Sequence, residues 1–354
     1  MSTRAPNTNS NGSNGSKSNS TNDDSSGTTQ VGNETVRTRM ILTVTPNPSL
    51  DRTYEVPALD RGEVIRATGD RMDPGGKGVN VSRAVAAAGA ETLAVLPLGG
   101  APGALVDQLL DEQGIKVAPV WVAGQTRSNI AVAEPDGTLT KINATGPELT
   151  SVEAELLLSA VRERSAGADW IACCGSLPRG LAPSWYADLV ARAHAAGARI
   201  ALDTSGPALL AALAERPDVV KPNAEELAEA VGRPLSTVGD AVKAAEELRE
   251  LGARAVLASL GADGQLLVDD SGRYFASAPV DAVRSNVGAG DSSLAGFLIA
   301  GGTGPTALAS AVAHGAAAVQ LPGSAMPTPA DLAPDAVTVT SQVPLDRVLT
   351  EPVS

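Results

Sequence analysis

Ser285-Asn286-Val287-Gly288-Ala289-Gly290-Asp291-Ser292-Ser293, running into the apolar stretch Leu294 to Ala300, reads as a loop entering a helix. Gly288 and Gly290 permit backbone angles closed to other residues and let a ligand approach the main chain. The unpaired N–H groups of a helix's first turn attract anions, so such a turn can hold a phosphoryl group. Asp291 sits at the same point, where the positive end of the helix dipole favours its ionised form. The stretch thus pairs a candidate general base with an anion hole made by Gly288, Ala289 and Gly290. Gly-Asp-Ser is also a good helix start with no further role, so the choice rests on the rest of the chain.

A chain of 354 residues buries a sizeable core and suits one large α/β domain with a small appendage once a low-complexity tail is set aside. With 27 Lys and Arg against 40 Asp and Glu, the net charge is −13. That acidity argues against nucleic acid or an anionic membrane as partner, while leaving room for a local basic pocket that takes a small anionic substrate. The two cysteines, Cys173 and Cys174, are adjacent in an apolar run, which offers neither a disulfide framework nor a CxxC metal site. No run of eighteen apolar residues occurs and no signal sequence opens the chain, so the expected location is cytoplasmic.

Residues 1–39 are mostly Ser, Thr, Asn and Gly with almost no aliphatic side chains, a composition expected to carry no fold. Met40 then opens the β-branched run Ile41-Leu42-Thr43-Val44-Thr45, and a translation start there would yield the compact protein without the tail. Asp51 falls at the C-terminal end of a strand, after Pro46-Asn47-Pro48 breaks regular structure. A second glycine-rich loop, Asp73-Pro74-Gly75-Gly76-Lys77-Gly78-Val79-Asn80, leads into an alanine-rich helical stretch. It is not a Walker A loop, which requires Gly-x4-Gly-Lys-Ser/Thr.

The pattern then alternates strand and helix, interrupted by two β-rich runs, 128–133 and 138–143, that flank the hairpin signal Pro135-Asp136-Gly137. These extra strands predict a small sheet projecting from the body, built from segments near 51–72 and 116–144. Beyond it the alternation predicts a mostly parallel, doubly covered sheet. Ligand sites in such folds lie at the carboxyl ends of the strands. Gly175-Ser176-Leu177-Pro178, Asp203-Thr204-Ser205, Lys221-Pro222-Asn223-Ala224-Glu225-Glu226 and Leu260-Gly261-Ala262-Asp263-Gly264 all fall there. Asn223 and Glu226, three apart at a helix start, face one side and suit a hydrated magnesium ion, or else form a capping box. Pro322 to Pro329 reads as a loop that closes over a nucleotide base, and 336–354 as a loosely held end.

Gly-Gly-Lys-Gly-x-Asn, Gly-Ser-Leu-Pro, Lys-Pro-Asn-x-x-Glu, Ser-Leu-Gly-x-x-Gly and Gly-Ala-Gly-Asp, in this order, resemble the ribokinase-like (PfkB-type) sugar kinases over residues 40–335. Within that family the chain is most similar to the phosphosugar branch, the 1-phosphofructokinases first and the tagatose-6-phosphate kinases next. The resemblance implies a three-layer α/β/α domain with a mostly parallel sheet and a β-sheet lid. It also implies ATP with Mg2+, and transfer of the γ-phosphoryl group to a sugar hydroxyl, with Asp291 as base. By the same match Asp51, Gly75, Gly76, Lys77, Asn80 and Asn129 would contact the phosphosugar, Arg127 would bind its phosphate, and Ser176 would line the pocket. Lys221, Asn223, Ser259, Gly261 and Gly264 would surround ATP, Glu226 would organise magnesium, and the lid could mediate a homodimer. Asn286 departs from the Thr that the family more often carries there.

Two other classes fail on the residues. A nicotinamide-dependent dehydrogenase needs Gly-x-Gly-x-x-Gly after its first strand, where this chain has Thr45-Pro46-Asn47-Pro48. A serine hydrolase needs Gly-x-Ser-x-Gly and a histidine, and His194 and His314 both lie in alanine-rich helical stretches. Removing residues 1–39 is expected to leave both melting temperature and turnover unchanged, because a segment without apolar residues has nothing to dock. Differential scanning fluorimetry with an activity assay checks this, and a marked fall in either value would contradict it.

Overall fold

The computed structural model describes residues 40–353, so the expectation for residues 1–39 lies outside the described residues. β1 (Met40–Val44), β2 (Ser49–Glu55) and β3 (Gly69–Gly75) precede α1 (Lys77–Ala87), then β4 (Glu91–Leu98), α2 (Gly100–Glu112) and β5 (Lys116–Trp121). The hairpin β6 (Arg127–Ala133) and β7 (Leu139–Ile142) leads to α3 (Ser151–Arg164), β8 (Ala168–Cys174), α4 (Trp185–Ala195), β9 (Arg199–Asp203), α5 (Gly206–Leu213) and β10 (Val219–Val220). Then come α6 (Ala224–Val231), β11 (Leu235–Thr237), α7 (Val238–Glu250), β12 (Val256–Ser259), β13 (Gln265–Asp269) and β14 (Gly272–Ser277). The chain closes with α8 (Ala289–Ile299), α9 (Gly304–Val319), β15 (Thr338–Thr340) and β16 (Val348–Val353).

Ten strands form one sheet in the order β15-β14-β13-β12-β10-β9-β8-β1-β4-β5. From β12 to β5 the neighbours run parallel, and β13, β14 and β15 add an antiparallel edge. Side chains alternate faces along a strand, and that period divides the core in two. Leu42, Cys173, Ile200 and Val220 pack with residues of α3 to α7. Ile41, Trp170, Cys174 and Ala201 pack on the other face with α1, α8 and α9, while Val106 and Leu110 of α2 cover Ala94 and Leu96 of β4. Each such aliphatic side chain, once fully buried, contributes about 1.5–3 kcal/mol. The architecture is therefore three-layered α/β/α. Cys173 and Cys174 point to opposite faces and are both buried, which raises their thiol pKa values and makes them core residues.

The second sheet, in the order β3-β2-β6-β7, is the lid. Its β6–β7 turn is closed by Glu134 N–H donating to Thr138 O and Gly137 N–H donating to Glu134 O, as the Pro-Asp-Gly signal implies. Two boundaries differ from the sequence reading. Lys116 to Trp121 pairs with β4 at the edge of the main sheet instead of joining the lid, because its alternate residues Ala118 and Val120 find the main core. Residues 338–353, expected to be loosely held, form β15 against β14 and β16 against β11, with Leu349 buried. No described helix is long and apolar enough to cross a membrane.

α8 is apolar nearly all round and is buried on one face of the sheet between α1 and α9. A Cβ added at Gly296 would lie 2.4 Å from His314 Nδ1, which itself bonds Ser310 O at 2.8 Å. His314 is thus a packed core residue, and His194 pairs with Asp218 on α4's outer side. Gly296→Ala is expected to force α8 and α9 apart at a cost of about 1–3 kcal/mol. Urea unfolding should show a lower midpoint at unchanged slope, and a midpoint equal to that of the parent would show that the helices yield freely.

Candidate active site

Parallel strands place their carboxyl ends along one edge, and there β8, β9, β10 and β12 end in Cys174, Asp203, Val220 and Ser259. Asp203 is fully buried between two ammonium groups. Lys77 Nζ lies 2.8 Å from its Oδ1 and Lys221 Nζ 2.9 Å from its Oδ2. Burial alone would raise the Asp203 pKa, but Lys221 and Lys77 together hold it below the ordinary carboxylate range. Both lysines are held above their ordinary values for the converse reason: burial opposes their charge, and Asp203 outweighs it.

α6 begins with the capping box that its sequence allows. Asn223 Oδ1 accepts from Glu226 N–H at 2.7 Å and Glu226 Oε2 accepts from Asn223 N–H at 2.9 Å. Glu226 spends one oxygen on the cap and presents the other, Oε1, to Lys77 Nζ at 3.0 Å. Asn223 Oδ1 is occupied by the cap, so the oxygens that face a shared cation are those of Glu226 and Asp203. A cation, the Lys77 ammonium, already sits between these two carboxylates, and hard oxygen donors of this kind suit magnesium.

Gly288 takes the left-handed conformation, φ 78°, as N-cap of α8, which turns the chain so that the amides of Ala289 and Gly290 open the helix. Asp291 follows in that first turn and is buried, with Asn80 Nδ2 of α1 donating to its Oδ2 at 2.9 Å. Burial and the charge of Asp203 push its pKa up to about 6, against the opposing influence of Lys221 and the Asn80 amide. Lys221 Nζ lies 3.3 Å from where a Cβ on Gly290 would be, so a side chain there would press on the ammonium. Met326, in the loop 322–329, covers the other side: its Cε is 3.1 Å from a Cβ on Gly288, and Ser292 Oγ approaches its sulfur at 3.5 Å.

A second group gathers where the lid meets the body. Asp51 Oδ1 accepts from Ser49 Oγ at 2.7 Å and from Asn129 Nδ2 at 2.9 Å. Gly75 must lack a side chain, since a Cβ would lie 2.2 Å from Asp51 Oδ2. Arg127 Nη1 and Nη2 donate to Ala144 O and Asn47 O, both at 2.9 Å, while its Nε is buried without a partner. Asn47 Nδ2 bonds Thr145 O at 3.2 Å and reaches Ser176 Oγ at 3.5 Å.

Lys77 belongs to the Asp203 group rather than to Arg127's, because Gly76 ends the loop and α1 starts at Lys77 beside β9's end. Ser259 joins the first group through its bridge to Asn223 and its N–H bond to Pro222 O, which sets the following turn, Gly261–Asp263, beside the Lys221 loop. Two residues escaped the sequence reading. Asp203 appeared there as part of a polar loop only, although an acid ending the buried run Ile200-Ala201-Leu202 was the available signal. Arg83, one turn after Asn80 on α1, lies between the groups: Nη1 approaches Asn80 Oδ1 at 3.4 Å, and after the effect of burial the charges of Asp73 and Asp51 act on it. The i, i+3 spacing was its signal.

Residues 45–331 match the family model described as pfkB family carbohydrate kinase. A 1-phosphofructokinase of Rhodobacter capsulatus is 38% identical over 263 residues, 74% of this chain and 83% of that protein. The crystal structure of phosphofructokinase-2 from Escherichia coli in complex with fructose-6-phosphate aligns with a TM-score of 0.77 at 33% identity, over 83% of this chain and 96% of that one. The Arabidopsis thaliana ribokinase complexed with ribose and ATP aligns with a TM-score of 0.65 at 25% identity, over 82% and 96% of the two chains. A glycine-led helix with a buried carboxylate, a parallel sheet with a small β-lid and these likenesses agree: the chain belongs to the pfkB family of carbohydrate kinases, ATP-using enzymes on a ribokinase-like fold.

Proposed function

We propose that this kinase transfers the γ-phosphoryl group of ATP to O6 of fructose 1-phosphate, yielding fructose 1,6-bisphosphate and ADP. The observation that carries the reading is Asp291, a buried carboxylate with pKa about 6 in the first turn of α8, next to three glycine-rich amides. An acceptor of that basicity takes the hydroxyl proton as O6 attacks phosphorus, and the bond from phosphorus to the ADP oxygen breaks in line. The amides of Gly288, Ala289 and Gly290, with the Lys221 ammonium beside Gly290, stabilise charge on the moving phosphoryl group. Asp51, Gly75, Gly76, Asn80, Asn129 and Ser176 form the sugar side. Arg127, with a buried Nε that lacks an acceptor, takes the substrate phosphate, while Lys77 stays paired with Asp203 and Glu226 at the other end of the cleft. Lys221, Asn223, Ser259, Gly261 and Gly264 receive ATP. Glu226 would organise Mg2+, which when bound would neutralise charge on the nucleotide phosphates. The enzyme works in the cytoplasm. The exposed apolar side chains of the lid and its connector, Val64, Met72, Leu139 and Ile142, support a homodimer formed through the lid.

The specific sugar rests on the naming of relatives such as the Rhodobacter protein. The Escherichia coli relative bound to fructose-6-phosphate favours a second reading, a kinase for a 6-phosphosugar such as fructose 6-phosphate or tagatose 6-phosphate. A coupled ADP-release assay across fructose 1-phosphate, fructose 6-phosphate, tagatose 6-phosphate and ribose separates them. The expected order puts fructose 1-phosphate first and neutral ribose last, since ribose would leave the Arg127 charge unmet. Arg127→Ala should raise KM for fructose 1-phosphate far more than KM for ATP. Equal shifts would remove Arg127 from the sugar pocket, and preference for a 6-phosphosugar would transfer the assignment.

Asp291→Asn keeps the shape of the site and loses the proton acceptor, so turnover should fall by about 10²- to 10⁴-fold. The parent's rate should decline as pH falls through about 6, where Asp291 takes up its proton. The sign for stability is the reverse. A carboxyl raised from 3.8 to about 6 is easier to bury protonated, so its ionisation weakens the fold as pH rises through that range. Asp291→Asn should therefore be more stable than the parent at pH 8, by up to about 3 kcal/mol, with the gap closing near pH 4. Denaturant unfolding at the two pH values measures this, and a variant less stable at pH 8 would contradict the raised pKa.

A further inference from the structure

The turn Gly261–Asp263 shows two unlike sides. A Cβ placed on Gly261 would meet nothing within 4 Å, so this side is open. On the opposite side Asp263, 3% exposed, turns its carboxylate into the C-terminal segment. There it accepts three bonds: from Arg347 Nη2 at 3.0 Å, from Thr350 Oγ at 3.0 Å and from Thr350 N–H at 2.6 Å. The segment is itself anchored elsewhere. Val238 N–H and Gly239 N–H, at the start of α7, donate to Arg347 O and Leu345 O at 2.9 Å, β16 pairs with β11, and Leu349 is buried. Arg347 also lies 5.6 Å over the ring of Phe275, whose Cζ in turn is 3.2 Å from a Cβ placed on Gly264.

We infer that Arg347 and Thr350, acting through the buried carboxylate of Asp263, are positioning residues for ATP: the C-terminal strap holds the turn Gly261–Gly264 in the shape that receives the nucleotide. This rests on the reading that the turn is part of the ATP site. A buried carboxylate that accepts three bonds, two from one residue's backbone and hydroxyl and one from a guanidinium, is costly to undo, so the strap and the turn move together. If the bonds are cut, the turn samples other positions and only a fraction of molecules is ready for ATP. The apparent dissociation constant then rises in inverse proportion to that fraction. The sugar side, built on Asp51, Asn129 and Arg127, has no bond to the strap in this network and keeps its affinity.

The test uses the full chain with Asp263→Ala, Arg347→Gln, Thr350→Ser and, as a direct perturbation of the turn, Gly261→Val, which forces a β-branched residue into the left-handed backbone that Gly261 adopts, φ 57°. Calorimetric titration with a non-hydrolysable ATP analogue is read beside KM for each substrate and the melting temperature. Asp263→Ala is expected to weaken analogue binding by about tenfold, Arg347→Gln by less, with KM for the sugar within about twofold of the parent. Thr350→Ser keeps both donors and should behave as the parent. If both substrates weaken equally, or if analogue affinity is unchanged in Asp263→Ala and Arg347→Gln while Gly261→Val lowers it, the strap has no positioning role. If Gly261→Val also leaves analogue binding unchanged, the turn is not part of the ATP site, and the inference falls with that reading. Arg347→Gln, at an exposed side chain, decides the matter should Asp263→Ala fail to fold.

Discussion

Asp203 is a carboxylate with no exposure, and it persists as an anion only because Lys77 and Lys221 stand within 3 Å of it. Around it the charges nearly cancel. Lys77 and Lys221 bring two positive charges, while Asp203, Glu226 and Asp291 bring three negative ones when all are ionised. The surplus is borne by Asp291, whose proton is easiest to keep, and its pKa rises accordingly. A single buried acid thus fixes two cations in place and adds to the rise that burial imposes on the pKa of a third group it does not touch. Removing Asp203 would leave two ammonium groups facing each other in a dry interior.

The fold supplies the means to assemble that network from distant parts of the chain. Lys77 and Asn80 come from the start of α1, Asp203 from the end of β9, Lys221 from the end of β10, Glu226 from the first turn of α6 and Asp291 from the first turn of α8. Parallel strands put their carboxyl ends on one edge, where α6 begins after β10, and the connections from β3 of the lid and from the antiparallel β14 return α1 and α8 to the same edge. Helix starts are also where amides lack partners, so the same edge offers anion sites beside the cations. The protein is acidic overall, with a net charge of −13, yet in its site two lysines offset most of the charge of three acids. The acidity of the surface and the chemistry of the cleft are independent.

The lid and the C-terminal segment attach to this edge in different ways. The lid brings Asp51 and Arg127 to the body through backbone bonds at Asn47 and Ala144, so the arginine fork that is proposed to hold a phosphate also ties the connections that enter and leave the lid. Arg71 of β3 lies against Gly323, in the same loop that places Met326 over α8. The loop therefore touches the lid on one side and the start of α8 on the other.

The sequence by itself determined the layered α/β class, the lid as a small separate sheet, the two glycine-led helices, and the placement of Lys221, Asn223 and Ser259 at strand ends. These follow from local physics: the period of apolar residues, the freedom of glycine, and the rule that parallel strands end on one side. What the tertiary structure decided was pairing. Lys77 could be read as a free cation for a sugar phosphate, but two carboxylates 126 and 149 positions away hold it. Asn223 and Glu226 turned out to spend two of their oxygens on a cap. Lys116 to Trp121 went to the main sheet, and residues 338–353 formed strands, because burial and unmet backbone bonds at a sheet edge depend on neighbours far along the chain. Which charges neutralise one another is a fact of three-dimensional proximity, and no spacing within a single segment encodes it.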